Sequence, residues 1–289
     1  MSALTHAMLV RDFEPVGLAE LASAAGLCTR KDRKYVVPRS AVAPLLAELR
    51  HSCRVLEIGG LRSFRYESTY FDTPGLDTYL AAARRRPRRF KVRTRAYLDS
   101  RECLLELKCR ERHGLTVKHR MPYRIAERAL LTAGALEFLA SFEQVGAVKE
   151  SLTRSLTTRY ERTTLMEAGS ASRVTIDTGL VCVTPAGAFV GVPGLVIVET
   201  KSVGPPTAAD RLLWAAHIRP TRISKYCTGL AAIDPQLPCN RWHRVLSQHF
   251  RTGTDHPTSI ETEGRDHEAH EDDRGPRRSG AAGLSACSV

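Results

Sequence analysis

A chain of 289 residues with 43% hydrophobic residues is long enough for one large domain or two small ones, and does not need disulfide staples to hold a core. Its formal net charge is +12, and because residues 251–289 carry five arginines against eight carboxylates, residues 1–250 carry about +15. A body that basic expects polyanionic partners. The opening text, MSALTHAMLVRDFEP, lacks the basic start and apolar stretch of a secretory signal, and residues 1–28 read as a lead-in segment. From there period-two alternation dominates. It predicts strands over Thr29–Val37, Phe64–Phe71, Arg89–Leu98, Glu102–Arg110, Leu115–Arg124, Leu156–Leu165, Arg173–Val183 and Leu195–Lys201. Helices are predicted over Arg39–Leu49 after Pro38, Ala126–Phe142, Ala208–Ala216 and Ile223–Ile233. The uncharged run Leu180–Val198 approaches the length of a membrane span, but Pro185, Gly187, Gly191, Pro193 and Gly194 break it into strand, turn and strand. After about Phe250 the text turns polar and Gly/Ser-rich without apolar period, so residues 251–289 are expected to be a disordered tail behind a domain at 29–250. His267 and His270 fall in that tail and read as solvent-exposed sequence. Eight cysteines, scattered without a CxxC pair or histidines at zinc spacing, read as reduced thiols of a cytoplasmic protein. Trp214 and Trp242 sit among apolar neighbours and read as packing residues.

The densest charge lies in RRRPRRFKVRTRAY, Arg84 to Tyr97. In a strand, residues two apart share a face, so Lys91, Arg93 and Arg95 form one row against Phe90, Val92 and Thr94. The same alternation puts Glu102, Leu104, Glu106 and Lys108 on one face, and Thr116, Lys118 and Arg120 on another. Arg173, Thr175 and Asp177 alternate with Val174 and Ile176; Glu199 and Lys201 share a side, as do Arg30, Asp32 and Lys34. One such strand is an ordinary solvated sheet face. Repetition changes the reading, because two same-face cations repel by about 2 kcal/mol at an effective dielectric near 20, before screening. If the sheet closes into a barrel, the charged rows line a lumen and helices cover the outside. A cationic lumen suits a multiply charged anion, and a minority of carboxylates beside it suits a divalent metal. Arg84–Arg89 precedes the strand as a loop, either simply solvated or attracting substrate to a tunnel entrance.

The segments RKDRKY (30–35), YFDT (70–73), FKVRTRAY (90–97), LELK (105–108), TVKHR (116–120), RYERTTL (159–165), RVTIDTGL (173–180), VIVETKS (196–202) and ISKYCTGL (223–230) together resemble the VTC domain, the polyphosphate polymerase domain of the triphosphate tunnel metalloenzyme superfamily. The resemblance implies an α+β fold: a closed antiparallel eight-stranded β tunnel barrel with flanking helices, holding a triphosphate and one divalent cation. It further implies phosphate-binding cations at Lys34, Arg93, Arg95, Lys108, Lys118, Arg162, Arg173 and Lys225, with Glu199 as metal ligand to Mn²⁺ or Mg²⁺. Arg162 rests on the motif alone, sharing a face with Tyr160 and Thr164, and Lys225 is implied to close one tunnel mouth. Glu106 either reaches the metal or pairs with Lys108; Asp177 either holds Arg173 or touches the metal. The family pattern Arg-x-Glu-x-Lys appears here as Arg30, Asp32, Lys34, and the shorter Asp32 puts its direct metal contact in doubt.

On this reading the protein is a metal-dependent polyphosphate polymerase that transfers the ATP γ-phosphate to phosphate or a growing polyphosphate chain, with Arg93, Arg95, Lys108, Lys118 and Glu199 as the catalytic set. The acceptor is already an anion, so no strong base is required. Hydrolysis of an inorganic or nucleoside triphosphate is the alternative on the same fold and would need Glu106, Asp177 or Glu199 to orient water. A noncatalytic binder of polyphosphate or nucleic acid is the alternative from another class. With 6% aromatic residues and no helix-turn-helix or RNA-recognition text, nucleic acid is not expected as a partner. ATP, triphosphate and polyphosphate are, and no transmembrane segment is predicted.

Overall fold

Alternating text forms strands and Leu/Ala-rich text forms helices in the computed structural model, which describes residues 9–23, 31–110, 116–202 and 204–250. In chain order the elements are β1 (Pro15–Val16), α1 (Leu18–Ser23), β2 (Lys31–Pro38), α2 (Val42–Leu49), β3 (Cys53–Leu56), β4 (Phe64–Asp72) and α3 (Asp77–Ala83). There follow β5 (Arg89–Tyr97), β6 (Glu102–Arg110), β7 (Thr116–Pro122), α4 (Ala133–Ala140), α5 (Glu143–Gly146) and β8 (Thr153–Glu167). The series ends with β9 (Arg173–Val183), β10 (Phe189–Gly191), β11 (Leu195–Ser202), α6 (Ala208–Ala215), α7 (Lys225–Ile233) and α8 (His243–His249). The helix expected over Ala126–Phe142 is shorter than its composition suggested. Thr132 caps α4 by accepting the Ala135 amide, while Arg128 is drawn back to the barrel by Glu67 at 2.7 Å, which keeps the residues between out of the helix. The tail at 251–289, with its two histidines, lies outside the described residues.

Eight strands pair antiparallel in the order β2-β11-β9-β8-β4-β5-β6-β7. Among the described residues no ladder joins the terminal strands β2 and β7. The sheet nonetheless curls until Lys108 on β6 lies in the electrostatic field of Lys34 and Asp32 on β2 and Glu199 on β11, strands near the opposite end of the path. The result is a β tunnel whose two faces are chemically distinct.

The outward face is apolar and covered by helices. Tyr35, Val37, Leu165, Ile176 and Val198 pack beneath Leu45, Leu46 and Leu49 of α2 and Leu213 of α6. Val92, Leu105, Leu107 and Cys109 pack beneath Ala135 and Leu139 of α4 and Val145 of α5. Apolar groups plug both ends of the inward face. At one, Leu21 of α1 covers Met166 and Phe64, with β1 paired parallel to β3 beside them. At the other, α7 presses Tyr226, Cys227 and Leu230 onto Val36, Tyr70, Leu156, Cys182 and Ile197. That approach requires a glycine: a Cβ on Gly229 would stand 2.7 Å from Cys182 Sγ and 3.2 Å from Leu156 Cδ2. Between the plugs the inward face is polar. Trp242 is buried under α7, and Trp214 donates its indole N–H to the Tyr35 hydroxyl at 3.0 Å. The cysteines Cys53, Cys103, Cys109, Cys182, Cys227 and Cys239 are all free thiols. Among the described residues no helix is long and apolar enough to cross a membrane.

Candidate active site

The β5–β7 wall concentrates charge because its registers align one row of three lysines beside a row with an arginine on each side of a glutamate. Arg93 lies opposite Glu106, Lys91 opposite Lys108, Lys108 opposite Lys118, and Glu106 opposite Arg120. Glu106, only 2% exposed, is the common anion. Arg93 contacts it at 2.6 Å, Arg120 at 3.3 Å, Lys118 at 3.4 Å and Arg95 at 3.8 Å. Burial alone would raise its pKa, but Arg93, Arg95 and Lys118 together hold it far below the carboxylate range. Glu106 therefore faces Arg93, Arg95, Lys118 and Arg120 rather than pairing with Lys108, which has no ion-pair partner among the described residues. One carboxylate cannot neutralise four cations. The excess shows in the ammonium groups. Burial, then crowding by Arg120, Arg95 and Arg93, pushes Lys118 down to about 7 despite Glu106, and burial with Lys34 and Arg93 lowers Lys108. Arg95 Nε has no hydrogen-bond partner among the described residues.

The opposite wall, from β2, β11, β9 and β8, is closer to balance. Glu199 holds Lys34 at 2.7 Å and Lys201 at 3.8 Å, and despite burial its pKa is far below the usual range because of those lysines and Arg162. Asp177, wholly buried, takes Arg162 in a fork at 2.6 and 2.9 Å and also the ammonium of Lys225, which together hold it at about 2 against burial. Arg162, legible only from the motif, thus sits in the lumen. Asp177 was expected to hold Arg173 or a metal; its partners are Arg162 and Lys225 instead. Arg173 shares the inward face but directs Nη2 to the Leu21 carbonyl of α1, at the plugged end. Lys225 is the first residue of α7, whose N-terminus is capped by Ser224, and its ammonium also lies 4.3 Å from the Tyr160 ring centroid.

Aromatic rings, absent from the expected site, form the floor between the walls. Tyr66 and Tyr160 stack at 5.4 Å; Arg162 lies over both, Arg95 over Tyr66 and Arg93 over Tyr70. Tyr160 shares the parity of Arg162 in RYERTTL, so following the alternation through that motif would have located the pair. Ser68, Thr158 and Thr175 add buried hydroxyls that lack partners among the described residues.

Among the described residues no group of three or more His, Cys, Asp or Glu side chains is arranged so that it could hold a metal ion by itself. What the lumen offers a cation is Glu199 with Asp32 on the neighbouring strand, diagonal to it because Asp32 lies opposite Lys201 and Lys34 opposite Glu199. One or two carboxylates, with the remaining positions left to water and phosphate oxygens, fit a hard divalent ion.

Fold and lumen define an antiparallel β tunnel lined mainly by cationic side chains. The chain matches the VTC domain over residues 29–233 and belongs to that family. No curated protein matches it in sequence. Among solved structures it is similar to HpAC1 of Hippeastrum, a candidate adenylyl cyclase described as having a dominant triphosphatase activity, at 14% identity and TM-score 0.44 over 69% of this chain and 94% of that one. A candidate adenylate cyclase of Bacillus halodurans aligns at 16% identity and TM-score 0.43 over 68% and 95% of the two chains.

Proposed function

We propose that the protein is a metal-dependent polyphosphate polymerase that moves the ATP γ-phosphate onto phosphate or a growing polyphosphate chain inside the tunnel. The observation that carries this reading is the β5–β7 wall, where Arg93, Arg95, Lys118 and Arg120 share Glu106 and Lys108 has no ion-pair partner among the described residues. Family membership supports it. Phosphoryl transfer asks for in-line placement and neutralisation of nonbridging oxygens, and that wall supplies arginine forks and lysine point charges for both. In this role Arg93, Arg95, Lys108 and Lys118 grip the triphosphate, Arg162 and Lys225 close over it from the other wall, and Lys34 and Arg173 extend the positive lining. Glu106 positions the arginines. Glu199 with Asp32 would hold Mn²⁺ or Mg²⁺, which when bound would supply neutralisation of phosphate charge.

Glu106 and Asp177 are each committed to two or more cations, leaving neither disposed to orient a hydrolytic water, and this favours an anionic acceptor over water. The test is to incubate the protein with ATP and Mn²⁺ or Mg²⁺ and resolve the phosphate products. Long chains are expected. Orthophosphate alone identifies a triphosphatase, and tight binding without turnover identifies a noncatalytic binder; either result overturns the proposal.

A further inference from the structure

The basic rows do not stop at the α7 plug. Alternation keeps Arg89 on the face of Lys91 and Arg93, and Arg110 on the face of Lys108, and Arg89 lies opposite Arg110 in the β5–β6 register. Past the plug these two meet Arg85, Arg222 and Arg241 around a cavity of about 270 Å³. None of the five has a carboxylate partner among the described residues; Arg89 and Arg241 spend one N–H each on the carbonyls of Arg86 and Ala82. Burial and then the neighbouring guanidinium groups lower the pKa of Arg89 and Arg241, a sign of uncompensated charge. Five guanidinium groups converging without a carboxylate among the described residues repel one another; an anion with several charges relieves that repulsion, and planar forks match phosphate oxygens.

The cavity is separate from the centre between the two walls. Arg89 lies four strand residues from Arg93, about 13 Å along β5. Between them Lys91 donates to Ser224 Oγ at 3.0 Å and to Cys227 Sγ at 3.1 Å, under the start of α7. Lys108, opposite Lys91 and two residues from Arg110 on the same face of β6, carries the basic row past α7 on the β6 side. A chain of phosphates would run from one to the other along β6, whereas a triphosphate centred on Arg93 and Arg95 cannot serve both.

We propose that the five-arginine cavity is a second phosphoanion subsite, holding the distal phosphates of an oligophosphate whose proximal end lies at Arg93 and Arg95. The inference rests on the reading of the tunnel given above and adds a length dependence to it. Free pyrophosphate shares the chemistry, so the experiment separates a tethered chain from a free anion.

The full chain is titrated calorimetrically with tripolyphosphate, with long-chain polyphosphate and with pyrophosphate, in wild type, in Arg85→Asn with Arg222→Gln, and in Arg93→Ala with Arg95→Ala. Arg85 and Arg222 are exposed, and Arg85 has a left-handed backbone (φ 56°) that asparagine adopts readily, so the first pair leaves the fold intact. That pair should weaken long-chain binding about tenfold or more while tripolyphosphate stays within about twofold. Unchanged long-chain affinity, or an equal loss for tripolyphosphate, overturns the subsite. So does pyrophosphate binding as tightly as the long chain in Arg93→Ala with Arg95→Ala. Tripolyphosphate binding at wild-type affinity in this last variant instead refutes the tunnel reading.

Discussion

The two walls of the lumen carry the same residue types and do different electrostatic work. On β5–β7 a single buried glutamate is shared by Arg93, Arg95, Lys118 and Arg120; on β2, β11, β9 and β8 Glu199 and Asp177 each hold their own pair of cations. The first wall is left strongly positive, so phosphate oxygens gain most by leaning there. The second has one carboxylate for every two cations, so it is less positive and keeps more anionic ligands for a metal. Register contributes to this difference: Lys91, Lys108 and Lys118 stack in one row without a carboxylate across β5, β6 and β7, whereas Glu199 lies opposite Lys34 and Asp177 opposite Arg162.

The comparison breaks most sharply at Arg93 and Arg95. Replacing both by alanine should abolish the rise in melting temperature that tripolyphosphate produces, whereas Glu199→Gln should retain that rise and lose its enhancement by Mn²⁺. Identical responses from the two variants would erase the distinction between the walls.

Next in size is Glu106→Ala. Removing the one anion beneath four cations should cost about 3–5 kcal/mol in denaturant unfolding, since it strands buried charge. Tripolyphosphate should restore more stability to this variant than it adds to wild type. A smaller effect, about 1–3 kcal/mol, is expected for Gly229→Ala, which forces α7 away from Cys182 and so loosens Lys225 on Asp177. Thermal unfolding measures it, and the loss should be accompanied by weaker tripolyphosphate binding.

The smallest effect concerns protons. Lys118 at about 7 lies below the unfolded lysine value of about 10.4, so the unfolded chain binds more protons between these limits, and ligand-free stability gains from this group as pH rises through that window. A bound polyanion reverses the preference. Tripolyphosphate should therefore bind with uptake of a fraction of a proton near about pH 8 and weaken as pH climbs above 7; calorimetry in two buffers of different ionisation enthalpy reads the uptake, and Lys118→Arg should remove it.

Much of the barrel was legible because alternation survives in sequence. The Arg93 row, the Glu106 row and the Glu199–Lys201 pair all face as period two required. What was not legible depends on contacts remote in sequence. Asp177 meets Lys225 across 48 residues, and nothing local to RVTIDT distinguishes that partner from Arg173. The α1 plug was hidden in a lead-in whose six helical residues bury only Leu21. The brief strand β3 was likewise too short to show a period. The arginine cavity combines a loop, two strand ends and residues 222 and 241, a convergence that only the folded chain reveals.

The most direct measurement is a crystal structure of the protein with a nonhydrolysable triphosphate and Mn²⁺, located by its anomalous signal. The account predicts phosphates against Arg93, Arg95 and Lys118, with manganese across the lumen beside Glu199. Manganese seated on Glu106, or phosphates bound outside the lumen, would contradict it.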